Sequence, residues 1–263
     1  MLHLLCAGRI VRMTNGVKIA IGVTAVFLAA AAVRVGLIYR ANHADDSTTT
    51  AAGNDSSPNV KVDPDDNVFL KKQHPDTIAD EKALIGTTVW VSAGGQLYYY
   101  KDSGKHVGYA HPVGLLLQNQ PMLIKEVFEQ GAPKTGNAVF RIAAGQRQVL
   151  LGFTMPGSDD PKAVYATPVG NFDNGYNLYN DDILFYDDPH KLYDYWGAQT
   201  WANIDKHQPT VGMTERQVMM CVGQVQTPHG GTYGNRSITY DNSGHPLTID
   251  FENNKAIKVT PGE

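Results

Sequence analysis

Between Thr87 and about Thr167 the chain falls into short runs, TTVWV, QLYYYK, VGLLL, MLIKEVF, AVFRIA, QVLLGFT and AVYATP, and this rhythm constrains the fold more than any other feature. β-Branched and aromatic residues fill the runs, while AGG, KDSGK, APKTGN and PGSDDP separate them. The first set suits a pleated, half-buried surface and the second suits tight turns. The region therefore predicts short antiparallel strands, and helical spacing is hard to find in it. The expected architecture over residues 76–187 is an antiparallel β barrel or sandwich of the SH3-like kind. DTIADEKALIG, Asp76 to Gly86, is expected as a short helix closing onto it.

Tyrosines concentrate in the same region. On a strand Tyr98 and Tyr100 share a face and Tyr99 points the other way. Together with Tyr109 they form a candidate binding surface for peptide or glycan. Packing of the rings into a small core, with hydroxyls at its edge, is the competing reading.

Charge divides the chain unevenly. No Asp or Glu precedes Asp45, whereas Arg9, Arg12, Lys18, Arg34 and Arg40 do, and removing those five from 22 basic residues leaves 17 against 26 acidic ones, about −9. An acidic remainder argues against nucleic acid, whose binding rests on Lys and Arg at phosphates. The run Ile19 to Val33 carries no charge and apolar residues resume after Arg34, so residues 17–39 are expected to form a transmembrane signal anchor. Basic residues precede this run and acids soon follow it, so residues 1–16 are expected in the cytoplasm and the bulk on the other side of the inner (cytoplasmic) membrane. Ala29 to Ala32 also offers a cleavage site, the alternative to an anchor. Residues 40–75, rich in Ser, Thr, Asp, Asn and Pro, are expected as a flexible linker.

From residue 188 the signals change. Asp188 before Pro189 reads as a helix start and Gly197 as its stop. In AQTWANIDKHQ, Ala198, Trp201 and Ile204 fall three apart on one face. Thr214 followed by Gln217 is a capping box, Met213 can staple onto Val218, and Gly223 ends the helix. Three strands follow: Ile238 and Tyr240 alternate, then Leu247, Ile249 and Phe251, then Ile257 and Val259 beyond the tight loop Asn253-Asn254. Two helices on a three-stranded antiparallel meander are expected for residues 188–263.

GMTERQVMMCVG followed by LTIDFENNKAIKV resembles the SmpA/OmlA (BamE-like) family of bacterial envelope modules. The family motif falls on Gly212, Met213, Thr214, Val218, Gly223, Phe251, Glu252 and Asn253, and the similarity spans Trp196 to Val259. It implies two helices on a three-stranded sheet, and protein binding rather than catalysis.

Chemical motifs are sparse. No H-E-x-x-H, G-x-S-x-G, phosphate loop or C-x-x-C occurs, and Cys6 and Cys221 cannot define a disulfide framework. Cys221 sits on an apolar helix stripe, where it reads as a small filler. Asn171, Asp173, Asp181 and Asp182 gather oxygens near a calcium-loop spacing, but Tyr176 stands where that loop needs glycine. No catalytic residue, cofactor or metal is assigned. The expected function is a membrane-tethered, non-enzymatic envelope scaffold whose partners are envelope proteins or cell-wall components. The alternatives are an envelope hydrolase, in which Asp187 and His190 would meet, and a glycan or small-ligand binder.

Overall fold

The computed structural model describes residues 63–134 and 144–262. Eight strands make the first sheet: β1 (Thr88–Val91), β2 (Tyr98–Lys101), β3 (Gly114–Leu115), β4 (Pro121–Gly131), β5 (Arg147–Thr154), β6 (Tyr165–Phe172), β7 (Tyr176–Leu178) and β8 (Leu184–Phe185). They run in the order β3-β2-β6-β5-β4-β1-β8, with β7 on β6, and every pairing is antiparallel. Register shifts between Ile124 and Glu126 and between Val149 and Leu150 bend the long central strands. The sheet curls into a half-barrel and stays open. The closed barrel or two-sheet sandwich expected for residues 76–187 is corrected accordingly: alternation specifies strands, but β3 and β8, two residues each, are too short to meet and close it.

β5 explains the burial. Val149, Leu151 and Phe153 enter the main core with Val89, Val91, Met122 and Ile124, while Leu150 faces the other side with Tyr100, Val107, Phe128 and Ala166. A strand buried on both faces needs an unbroken apolar run, which QVLLGF supplies. The AVFRIA run lies outside the described residues.

The second sheet has four strands, β9 (Gln226–Thr232), β10 (Asn235–Tyr240), β11 (Leu247–Glu252) and β12 (Lys255–Pro261), in the order β12-β11-β10-β9. Among the described residues five short helices accompany the sheets: α1 (Ile78–Lys82), α2 (Asn180–Ile183), α3 (Pro189–Leu192), α4 (Ala198–Ile204) and α5 (Glu215–Val222). The capping box at Thr214 and Gln217 forms, and Gly223 ends α5 at φ +92°. Trp201 and Ile204 of α4 and Val218, Cys221 and Val222 of α5 meet Ile238, Tyr240, Ile249 and Phe251 of the sheet.

The BamE-like module of two helices on three strands, expected over 188–263, is corrected. A fourth strand, β9, was hidden by Pro228, Gly230 and Gly231, tolerable on an exposed edge and unlike a strand in sequence. The second core also takes in Phe185 of β8 and draws on Trp90 of β1, so it is continuous with the half-barrel. The described residues form one compact unit. Across the seam Asn119 Nδ2 donates to the Met220 carbonyl at 2.8 Å and Gln224 Nε2 to the Ser92 carbonyl at 2.8 Å, while on the half-barrel side of it Gly94 N–H donates to Gln118 Oε1 at 3.0 Å.

The single-pass inner-membrane anchor and signal-anchor assignment are corrected as well. Among the described residues no helix is long and apolar enough to cross a membrane. The longest, α5, has eight residues and spans about 12 Å of the roughly 30 Å of hydrocarbon. The run at 17–39 on which that expectation rested lies outside the described residues.

One buried acid makes stability depend on pH. Glu81 of α1 is fully enclosed and accepts from Asn180 Nδ2 at 2.9 Å, while Glu81 Oε1 and Asn180 Oδ1 have no hydrogen-bond partner. Burial pushes the Glu81 carboxyl up from 4.5 to about 7, against the Asn180 hydrogen bond and with help from Asp80. The folded chain thus holds this proton more tightly than the unfolded one. The associated stability is fully present below 4.5 and is lost as pH rises through about 7. Glu81→Gln supplies an N–H for Asn180 Oδ1 at every pH. It is expected to exceed the wild type by about 2–3 kcal/mol at pH 8 and to match it at pH 4. Urea denaturation at both values checks this, and an equal difference at the two would refute the assignment.

Candidate functional site

The segment from Asp63 to Asp76 crosses the seam as a strap pinned at both ends. At one end Asp63 caps a 3-10 turn, Pro64–Asn67, and Asp65 is buried. Asp65 Oδ1 accepts from the Tyr195 hydroxyl at 2.6 Å and from Trp196 Nε1 at 2.8 Å, and Arg216 Nε lies 3.6 Å from Oδ2. At the other end Asp181 accepts from the backbone N–H groups of Gln73 and His74, both at 2.9 Å, and from the Tyr186 hydroxyl at 2.9 Å. Burial alone would raise the Asp181 carboxyl, yet these donors and the His74 ring hold it below the usual range. Lys72 Nζ donates to the Asp181 carbonyl. Residues 63–75 are therefore docked, which corrects the expectation of a flexible linker reaching residue 75.

Between the pins the strap roofs a cleft of about 390 Å³. Leu184 and Phe185 of β8 and Met219 and Met220 of α5 provide apolar walls, with Lys71 and Arg216 at the rim. Phe69 is 87% exposed and Leu70, which lines the cleft, is 41% exposed. Unbranched thioethers adapt to differently shaped apolar groups. The strap, tied down at both ends, shows the two large apolar side chains of Phe69 and Leu70 to solvent side by side.

No protein-family model, curated protein or solved structure matches this chain.

The three tyrosines proposed from sequence do not form one surface. Tyr98 is 40% exposed, but Tyr100 is 1% exposed and packs edge to face with Tyr109 at 5.4 Å in the small core on the outer side of β5. Burial pushes the Tyr100 hydroxyl up to about 12. The residues weighed for a hydrolase separate too. Asp187 is exposed, while both ring nitrogens of His190 face carboxylates, Asp188 Oδ1 at 3.1 Å and Asp205 Oδ1 at 2.9 Å, with Trp201 against the ring at 4.1 Å. Burial pushes the Cys221 thiol up to about 12, where it is a poor nucleophile.

The calcium-like residues Asn171, Asp173 and Asp181 are each engaged within the chain, and Asn171 Oδ1 accepts from the Tyr179 hydroxyl at 3.4 Å. Asn171 donates to Gln146 Oε1, Asp173 Oδ2 accepts from Gln146 Nε2 at 3.1 Å, and Asp181 holds the strap. Among the described residues no group of three or more His, Cys, Asp or Glu is arranged to hold a metal ion. Sequence reasoning missed Asp65, Phe69 and Leu70 because they lie in a polar stretch. The signals present were Asp63 before Pro64, a turn start, and Val68-Phe69-Leu70, an apolar run inside that stretch.

Proposed function

We propose that this chain is a protein-binding module whose strap and seam cleft receive a segment of a partner protein carrying a large apolar side chain. The exposure of Phe69 and Leu70 beside a methionine-walled cleft carries this reading. Large apolar groups seated in a cleft dominate the energy of such contacts, and the polar rim adds orientation. Lys71, which is exposed, offers an ammonium to a carboxylate of the partner. The engagement of His190 and the burial of Cys221 favour binding over catalysis.

Phe69→Ala separates binding from folding, because a side chain this exposed contributes little to stability. Its melting is expected to stay within about 0.5 kcal/mol of the wild type, while affinity for the partner falls by about 1–2 kcal/mol, roughly tenfold. The partner is defined by photo-crosslinking from position 69, with a crosslinker at exposed Lys101 of β2 as control. An adduct specific to position 69 whose affinity drops in Phe69→Ala supports the proposal. Equal adducts from both positions, or an affinity untouched by the substitution, would sink it.

A further inference from the structure

A second groove, away from the strap, lies where α4 and the 3-10 turn at Asn242–Gly244 approach the ends of β11 and β12. It consists of two cavities of about 560 and 240 Å³ that share His207, Asn242 and His245. Pro209, Pro246 and Pro261 stiffen the larger one. No Asp, Glu, Lys or Arg lines either cavity.

His207 is held in an unusual way. Gln208 N–H donates to the Asn203 carbonyl at 3.0 Å and His207 N–H to the Ile204 carbonyl at 2.9 Å, the paired bonds that close a helix with a left-handed residue. Glycine fits that position best, yet His207 occupies it at φ +53°. Asn242 and Ser243, bordering the same groove, are left-handed too, at φ +47° and +56°.

The ring is oriented as well. His207 Nδ1 lies 2.7 Å from the Cys221 carbonyl, and a carbonyl only accepts, so Nδ1 carries the hydrogen. The lone pair is then on Nε2. Imidazoles that ligate metals are fixed in this manner, with the distal N–H given to a backbone carbonyl and the other nitrogen free for the ion. His245 sits across the same cavities, exposed on its turn, and its ring makes no hydrogen bond or ion pair among the described residues.

We propose that His207 and His245 form a two-imidazole site for a divalent cation of zinc's class. His207 Nε2 is the preset ligand, and His245 swings in from the turn as the second. With two protein ligands the ion keeps two tetrahedral positions for water or for a donor brought by another molecule. The neutral lining places no ammonium or guanidinium where it would repel the ion.

Zinc alone is the probe, titrated into the full chain by calorimetry. One ion per chain is expected. His207→Asn, a residue that accepts the left-handed backbone, and His245→Ala should each weaken binding about tenfold or more. His229→Ala, on the exposed edge strand β9, should leave it unchanged. Melting curves confirm that each variant is folded. Long-range ¹H–¹⁵N spectra of the wild type should show His207 Nε2 moving on zinc addition while Nδ1 keeps its hydrogen. Absence of binding by the wild type, unchanged affinity in either groove variant, or a perturbed Nδ1 overturns the site.

Discussion

Trp201→Ala is expected to destabilise the protein by about 3–5 kcal/mol, the cost of emptying an indole's place in a packed core. Trp201 is 6% exposed and lies at the centre of the second core. Its ring stacks on Trp196 at 5.5 Å and against His190 at 4.1 Å, and its Nε1 donates to the Tyr193 carbonyl at 2.9 Å. Removing it opens a cavity and leaves that carbonyl without its partner. The loss extends to the strap, because Trp196 also donates to Asp65. For a unit of this size the melting temperature should fall by roughly 10 °C, and proteolysis between Asp63 and Asp76 should accelerate. Trp201→Phe, which keeps an aromatic ring and gives up the N–H, should lose much less. Thermal melting of the two variants side by side checks the ranking, and an alanine variant as stable as the phenylalanine one would contradict it.

Gly223→Ala is expected to be nearly as damaging, for a different reason. The residue stands at φ +92°, ψ 179°, a conformation essentially reserved for glycine, and a Cβ there would come within 2.7 Å of the Gly94 carbonyl oxygen across the seam. Backbone strain of about 1–3 kcal/mol adds to an overpacking cost of similar size. The seam has little room to give, since Gly94 is itself pressed against the Gln118 backbone. Gly197 provides the control. It has nearly the same backbone, φ +83° and ψ 158°, but nothing within 4 Å of an added Cβ. Gly197→Ala should therefore show the strain alone, and the difference between the two variants isolates the contact. Equal losses in calorimetric unfolding would mean that the seam does not resist separation.

The same two residues show what could be read in advance. Gly223 is legible as a helix stop because capping and left-handed termination involve neighbours within a few residues, and the Thr214 box is legible for the same reason. Its packing on Gly94 is not legible, because nothing near either glycine names the other. Tyr100 and Tyr109 were readable as aromatic residues near a strand, but whether such a ring faces solvent depends on which loop folds over that face. Here Val107 and Tyr109 cover it. Asp65 was passed over in a polar stretch, since its partners Tyr195 and Trp196 lie 130 and 131 positions away.

The amino-acid order by itself determined the β-rich character of the chain, the start of α3 at Asp188-Pro189, the capped start and glycine stop of α5, and the faces that α4 and α5 bury, all of which follow from local backbone preference and the alternation of apolar side chains. The helix expected from Asp188 to Gly197 ends instead at Leu192 and gives way to a 3-10 turn, Asp194–Trp196. Only the tertiary structure decided that the first sheet stays open, that β9 joins the second, that a strap crosses the seam and that His207 Nδ1 meets the Cys221 carbonyl beside a groove. Those outcomes depend on contacts between segments far apart in the chain, which form only when burial of apolar surface brings the segments together and hydrogen bonds such as Asn119 to Met220 hold them.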